Sequence, residues 1–400
     1  MLFEGLSKGG NQLILLYIAY TLDPSVYLIF MLLVSLETFL PILVISNYNE
    51  VLYTLKGKFA QEKVFSTVLT ITLISTFLFI FILYINQIFL FDYFNYSNIY
   101  VYLTIPISVF FIVYFKFLSM YYQLEESHSK AIYLKSLPFF LSFLGALIGV
   151  MITKDQVAGF FIGKAIGFTV TFFYFLLKDK IFTFTISINQ DFLKEYLSRS
   201  KFLFLITFFG WLSTYGFLNI GKLTSTDENI IDYGYMINLY MLFLMIANGI
   251  NQVYSPRIRK LFHHNSTMAY TLSKKTLLLY LTISVLAFVS YYFLMHLNSK
   301  MPFLNDKAID ILSVFPYAIL VFAIAALKYI SDVYVYVLDK YQHFALSLVM
   351  VEVLSISIAV ILLLYFQVTL LNAYLILISS RSLYTFLYVK KSLKLWSHYE

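Results

Sequence analysis

A chain of 400 residues that is 60% hydrophobic, 12% charged and +0.81 in mean hydropathy leaves no room for a large soluble domain. Its formal net charge of +7 would point to nucleic acid in a soluble protein; here the positive charge belongs to cytoplasmic loops, and no nucleic-acid partner is expected. There is no Cys, which excludes disulfides, thiolate metal sites and Cys nucleophiles.

Apolar runs recur from end to end, so the expected class is an all-α polytopic membrane protein of about twelve transmembrane helices. In chain order the spans fall near 6–22, 25–46, 64–84, 100–121, 132–152, 157–177, 202–223, 233–254, 276–297, 309–338, 344–366 and 369–389. The first reads as a retained helix rather than a cleavable signal, because no small-residue cleavage site follows it. The tenth, Ile309 to Leu338, reads either as one long tilted helix or as a broken one. Pro41, Pro106, Pro138 and Pro316 lie inside spans, where each frees a backbone carbonyl and favours a kink.

Lys and Arg set the orientation. With both termini cytoplasmic, twenty of the 28 basic residues fall in inside segments and only Lys154, Lys300 and Lys307 fall outside. The longest inside loop, Lys178 to Lys201, divides the chain into an N-terminal six-helix bundle (1–190) and a C-terminal one (191–400). Leu22-Asp23-Pro24 before one apolar run and Thr226-Asp227-Glu228 before another give the halves similar punctuation. A six-plus-six repeat of this kind is common among transporters.

One helix, Asp232 to Phe262, opens on the turn signal Asp232-Tyr233-Gly234 and closes at Ser255-Pro256 above Arg257, Arg259 and Lys260. Asn248, Asn251, Gln252 and Ser255 share one of its faces, and such a stripe must meet protein or water rather than lipid. With Asn11 and Gln12 of the first span they form an expected polar inner gate; the alternative is interhelical hydrogen bonding. The three basic residues below read as topology anchors near anionic lipid.

Ionisable residues within spans are costly and usually face a cavity or a partner. Glu37, Lys116, Lys328, Asp332, Glu352 and Arg381 fall in the inner half by their place along each span, with Lys164 and Lys222 toward the outer side. In the functional reading Lys116, Lys164, Lys328 and Arg381, with Asn219, line a hydrated cavity and grip an anionic group, while Glu37, Asp332 or Glu352 binds a coupling ion. In the plainer reading these are clamps: Lys328 and Asp332 at i, i+4, and Glu352 with Arg381 on neighbouring spans. Lys116, near the inner surface, and Lys222, close to a span end, snorkel in this reading.

No P-loop, Gly-x-Ser-x-Gly or Gly-x-Gly-x-x-Gly occurs, and no His pair has metal-ligand spacing within a membrane face. The chain is therefore read as a non-enzyme with no cofactor and no metal.

About twelve spans in 400 residues, a polar first span, Asn219-Ile220-Gly221-Lys222, Asp227 to Tyr235, and Asn251-Gln252-Val253-Tyr254-Ser255-Pro256-Arg257 together resemble the polysaccharide (O-antigen) flippases of Wzx type. These belong to the MOP exporter superfamily, with the MATE drug exporters. The family often carries Asp where Asn219 stands. The resemblance implies a MOP/MATE-like fold and alternating access. It implies an undecaprenyl-pyrophosphate-linked oligosaccharide moved from the inner to the outer leaflet of a bacterial cytoplasmic membrane. Its partners would then be that lipid-linked oligosaccharide, membrane lipid and other polysaccharide-assembly proteins. The alternatives are a MATE-like ion-coupled small-molecule exporter, which would want an acidic cavity, and a membrane polysaccharide polymerase, which would want a large outer loop.

Overall fold

The computed structural model describes residues 13–44, 55, 58–124, 127–178, 186–335 and 341–396; these are helical, with no strand among them. After a first helix, α1 (13–21), come α2 (Pro24–Val44), α3 (Gln61–Ile85), the short α4 (Gln87–Phe94), α5 (Ile99–Leu124), α6 (His128–Ile152) and α7 (Gln156–Lys178). The remainder are α8 (Gln190–Leu212), α9 (Tyr215–Thr224), α10 (Asp227–His264), α11 (Ser266–Lys300), α12 (Asp306–Ser313), α13 (Phe315–Val335), α14 (Tyr341–Phe366) and α15 (Leu370–Trp396). Ten of the described helical stretches are long and apolar enough to cross a membrane, and eleven if the bent pair α8–α9 counts as one span. The expected first span lies partly outside the described residues.

Helices dominate because a backbone in hydrocarbon must satisfy its own N–H and C=O groups. Their ends follow local chemistry. Pro24 opens α2, where its missing N–H costs nothing. Asn95 ends α4 in the left-handed conformation, φ 54°. Asn265 ends α10, and its side chain accepts the Met268 N–H at 3.0 Å to start α11.

Two expectations are corrected. Asp232-Tyr233-Gly234 is not a turn: α10 is helical from Asp227 and continues through Pro256 to His264, a length of about 57 Å. Pro256 costs one backbone hydrogen bond, but the next turn buries Ile258 and the helix resumes. The seventh span agrees with expectation, its membrane-crossing stretch running from Phe204 to Thr224, although helix α8 already starts at Gln190; α11 begins at Ser266, not near 276. These extensions are polar and invisible to hydropathy. The tenth span runs as one membrane-crossing stretch, Asp306–Tyr334, with a one-residue interruption at Val314 between α12 and α13, just before Pro316.

The chain forms two compact units. The first comprises Met1–Leu15 and Leu22–Trp211, the second Leu16–Thr21 and Leu212–Glu400. In the first unit α6 and α7 pack tightest, because glycines let their backbones touch. A Cβ placed on Gly163 would lie 2.1 Å from the Gly145 carbonyl oxygen, and one on Gly149 would lie 2.0 Å from that of Gly159. Phe111, Phe168 and Phe172 fill the space between α5 and α7. Hydroxyls of α3 hold the connecting segment: Thr67 Oγ1 accepts the Asn189 N–H at 2.8 Å, and Thr70 Oγ1 accepts the Ser187 N–H at 3.1 Å. In the second unit α10 packs on α11 and α13, and α15 on α13 and α14. Phe217, Tyr233 and Tyr374 form its aromatic centre. Leu278, Val285, Leu286 and Phe293 of α11 are exposed, as on a lipid-facing helix.

Between α6 and α7, Asp155 accepts hydrogen bonds from the Ala158 N–H (3.0 Å), Tyr96 Oη (2.7 Å) and Asn98 Nδ2 (3.1 Å). Partial burial pushes its carboxyl up, but these bonds outweigh it and hold the group below the usual carboxylate range. Burial, reinforced by the Asp155 carboxylate, pushes the Tyr96 phenol up.

Two outcomes follow. Gly163→Ala should lower stability by about 1–3 kcal/mol through overpacking. Gly249→Ala, with nothing within 4 Å of the new Cβ, should be neutral or stabilising; thermal unfolding of the detergent-solubilised protein compares the two. Because Asp155 has a depressed folded pKa, its stabilisation is fully present above the unfolded pKa near 3.8 and is lost as pH falls through the folded value. Asp155→Asn should remove that component of the acid-side decline in unfolding temperature.

Candidate functional site

Within the spans the fold joins Lys164 to Glu37, Arg381 to Glu352 and Lys328 to Asp332, while Lys116 has no ion-pair partner among the described residues. In the first unit, Lys164 Nζ of α7 donates to Glu37 Oε2 of α2 at 2.8 Å, and both residues are buried. Gly159, Gly163 and Gly167 turn one face of α7 onto α6, which leaves Phe160 and Lys164 on another face toward α2. Lys164 Nζ also lies 5.5 Å from the Phe160 ring centroid. Glu37 Oε1 is enclosed and has no hydrogen-bond partner among the described residues.

In the second unit, Arg381 Nε of α15 lies 2.9 Å from Glu352 Oε1 of α14, with side chains 9% and 1% exposed. The N–H is not aimed at that oxygen, so the contact is an ion pair without an aligned hydrogen bond. The other carboxylate oxygen, Oε2, accepts from Ser213 Oγ at 2.6 Å. Ser213 lies in the break between α8 and α9, where the helix bends by 48°. The freed Thr214 carbonyl accepts from Tyr233 Oη at 2.8 Å. Around the pair stand Tyr374, which lies within electrostatic reach of both charges, and Tyr240, whose hydroxyl is 2.6 Å from that of Tyr329. Tyr374 Oη and Ser382 Oγ are enclosed without a partner among the described residues.

Lys328 and Asp332 of α13 pair at 2.7 Å, but their side chains keep 21% and 33% exposure. Lys116 is different. From Val113 to Met120 every residue of α5 is buried except Lys116, which is exposed and forms no hydrogen bond or ion pair among the described residues. Lys135 of α6, another cation, is its electrostatic neighbour.

The expected gate residues are scattered in role. Asn251 Oδ1 accepts from Tyr280 Oη of α11 at 2.8 Å, an interhelical bond. Asn248 is exposed, Asn219 is half-buried in α9, Gln252 belongs to α10, and Asn11 and Gln12 lie outside the described residues. Sequence reasoning missed Ser213 and the tyrosines. A usable signal was the i, i+7 spacing of Tyr374 and Arg381, and of Tyr233 and Tyr240, which places each pair on one helix face.

No family model and no curated protein matches the sequence. Solved structures do. An inward-facing multidrug-resistance MATE family transporter of the MOP superfamily superposes with TM-score 0.72 at 14% identity, over 99% of this chain and 95% of that one. The straight conformation of a MATE gives 0.68 at 13% identity, over 99% and 95%. A MOP superfamily transporter from Pyrococcus furiosus gives 0.65 at 16% identity, over 98% and 93%; for that protein a reversed polarity of the binding pocket suggests a different function. The fold is that of MATE transporters of the MOP superfamily.

Removing one member of a buried pair leaves an uncompensated charge, so Lys164→Met alone should cost about 3–5 kcal/mol, and Lys164→Met with Glu37→Met much less. Asp332→Asn, in a partly exposed pair, should stay within about 1 kcal/mol. Unfolding temperatures of the three variants in one detergent check the contrast.

Proposed function

We propose that the protein is a flippase that carries a lipid-linked oligosaccharide on a pyrophosphate from the inner to the outer leaflet of a bacterial cytoplasmic membrane by alternating access. Both termini lie in the cytoplasm, and other polysaccharide-assembly proteins supply and consume the cargo. The observation that carries this reading is the polarity of the charge left over among the residues expected in the inner half of the spans. Glu37, Asp332 and Glu352 each already hold a cation, whereas Lys116 is exposed on an otherwise buried stretch with no counter-ion among the described residues. A transporter of organic cations needs a free carboxylate at depth. A free ammonium instead favours an anionic group such as pyrophosphate.

The shared fold supports a transporter, and the Pyrococcus furiosus relative supports the view that pocket polarity varies within it. The multidrug MATE neighbours favour the second reading, export of small molecules with an exchanging ion. On the first reading Glu37, Asp332 and Glu352 are the carboxylates available to a coupling ion, each at the cost of its present pair.

Proteoliposomes separate the two. The protein should move a fluorescent polyprenyl-pyrophosphate-linked sugar between leaflets and leave a cationic dye in place; dye efflux without sugar movement reverses the assignment. Lys116→Gln should slow sugar movement by on the order of tenfold while unfolding within about 0.5 kcal/mol of the parent, as an exposed substitution does.

A further inference from the structure

The buried pair of the second unit has features that a simple clamp does not need. Glu352 meets only the Nε edge of Arg381, off the line of its N–H. The two terminal amino groups of the guanidinium bond to no described residue and, unlike Nε, are not fully enclosed. Tyr374, seven residues earlier on the same helix face, presents a buried hydroxyl without a hydrogen-bond partner among the described residues. The carboxylate is tied at its other oxygen to Ser213, in the break between α8 and α9.

We propose that Arg381 is a receptor for a phosphate-type oxyanion and that Glu352 is its resident counter-ion, which the anion displaces. The proposal rests on the reading of an anionic cargo and adds where and how the anion is taken. A guanidinium is a planar fork that receives two oxygens of one phosphate side by side, which an ammonium cannot do. The open terminal amino groups offer that edge. When the guanidinium turns to the anion, Glu352 Oε1 loses its cation, and the idle Tyr374 hydroxyl becomes its donor while Ser213 keeps Oε2. The carboxylate is therefore not stranded, which would otherwise make displacement prohibitive.

The groups facing Glu352 are Ser213 from the break, Arg381 and Tyr374 from α15, and, beyond them, Tyr240 of α10 and Tyr329 of α13. The Lys328–Asp332 pair lies along α13. Their formal charges cancel, so an entering anion brings the cluster to a negative excess. Glu352 thus sets the affinity, and it is also the group that touches the break. Trp211, two residues before Ser213, has its indole N–H bonded to the Ser35 carbonyl at 3.2 Å and Thr38 Oγ1 at 3.3 Å, so it reports movement there.

The test uses the full chain in detergent with Trp396→Phe, which leaves Trp211 as the single tryptophan. Inorganic pyrophosphate and farnesyl pyrophosphate are titrated by calorimetry and by Trp211 emission. Glu352→Gln, which keeps Arg381 and the side-chain volume, should bind inorganic pyrophosphate on the order of tenfold or more tightly than the parent, the size of a close charge-pair coupling. Arg381→Gln should lose binding, and Arg381→Lys should bind at least about tenfold more weakly than the parent. Ser213→Ala should bind with parental affinity but without the emission change.

Equal binding by Glu352→Gln and the parent, or undiminished binding by Arg381→Gln, overturns the proposal and leaves a clamp. If Arg381→Gln does not stay monodisperse, the Glu352→Gln comparison decides alone. Equal affinity for the two ligands identifies free phosphate chemistry, and tighter farnesyl pyrophosphate identifies a lipid-borne headgroup. Pyrophosphate binding as expected, with no sugar moved in proteoliposomes, sinks the flippase reading and keeps the site. Sugar movement with equal binding does the reverse.

Discussion

A charge placed in hydrocarbon must find an opposite charge or water, and the described spans are arranged around that demand. The first unit meets it with glycine. Because Gly145 and Gly149 lie against Gly163 and Gly159, α6 and α7 spend one face of α7 on backbone contact. The adjoining face then carries Lys164 to Glu37, with Phe160 and Phe161 packed on Phe30 of α2 beside it. A side chain at Gly163 would separate the helices that hold the lysine in place. Close packing and charge compensation are one structural fact in this unit.

The second unit meets the same demand less completely. Its cation is an arginine, with more donors than Glu352 uses, and its anion is shared with a serine at a helix break. Buried ion pairs contribute little net stability, because desolvation offsets attraction. Their persistence in an apolar environment therefore asks for another reason. In the first unit that reason is orientation of packed helices. In the second, Arg381 Nε and Glu352 Oε1 form an ion pair without an aligned hydrogen bond, and the enclosed Tyr374 hydroxyl has no hydrogen-bond partner among the described residues; the proposed second arrangement would use these groups.

Much of this was legible in the sequence, and the remainder was hidden for identifiable reasons. Apolar length located the spans, since hydrocarbon thickness fixes how many residues a helix needs. Spacing on one helix joined Lys328 to Asp332, and similar depth on adjacent spans joined Glu352 to Arg381. Depth failed for Glu37 and Lys164. Counting residues from span ends put one in the inner half and the other toward the outer side, yet long side chains and tilt bring their tips to 2.8 Å across 127 residues of sequence. Hydropathy also stops where a helix leaves lipid, so the polar starts of α8 and α11 and the end of α10 beyond Pro256 went unseen. Ser213 carried no signal at all, because a serine in an apolar run is ordinary until a carboxylate is found 2.6 Å away.

Fold and cargo are set by different parts of such a chain. The helical framework superposes on multidrug transporters at 13–16% identity, so very different side chains support the same path of the backbone. What distinguishes one cargo from another is then the charge that the framework leaves uncompensated. Carboxylates already neutralised by Lys164, Lys328 and Arg381 offer little to a cation, because a cationic ligand would have to displace a bonded lysine or arginine. An anion would meet no such competitor at Lys116 among the described residues, and at Arg381 it would compete with a carboxylate that Ser213 already holds and that Tyr374, in the proposed arrangement, would take over. The asymmetry lies in which ion can be released at low cost, and the proposed anionic cargo is the one that would use it.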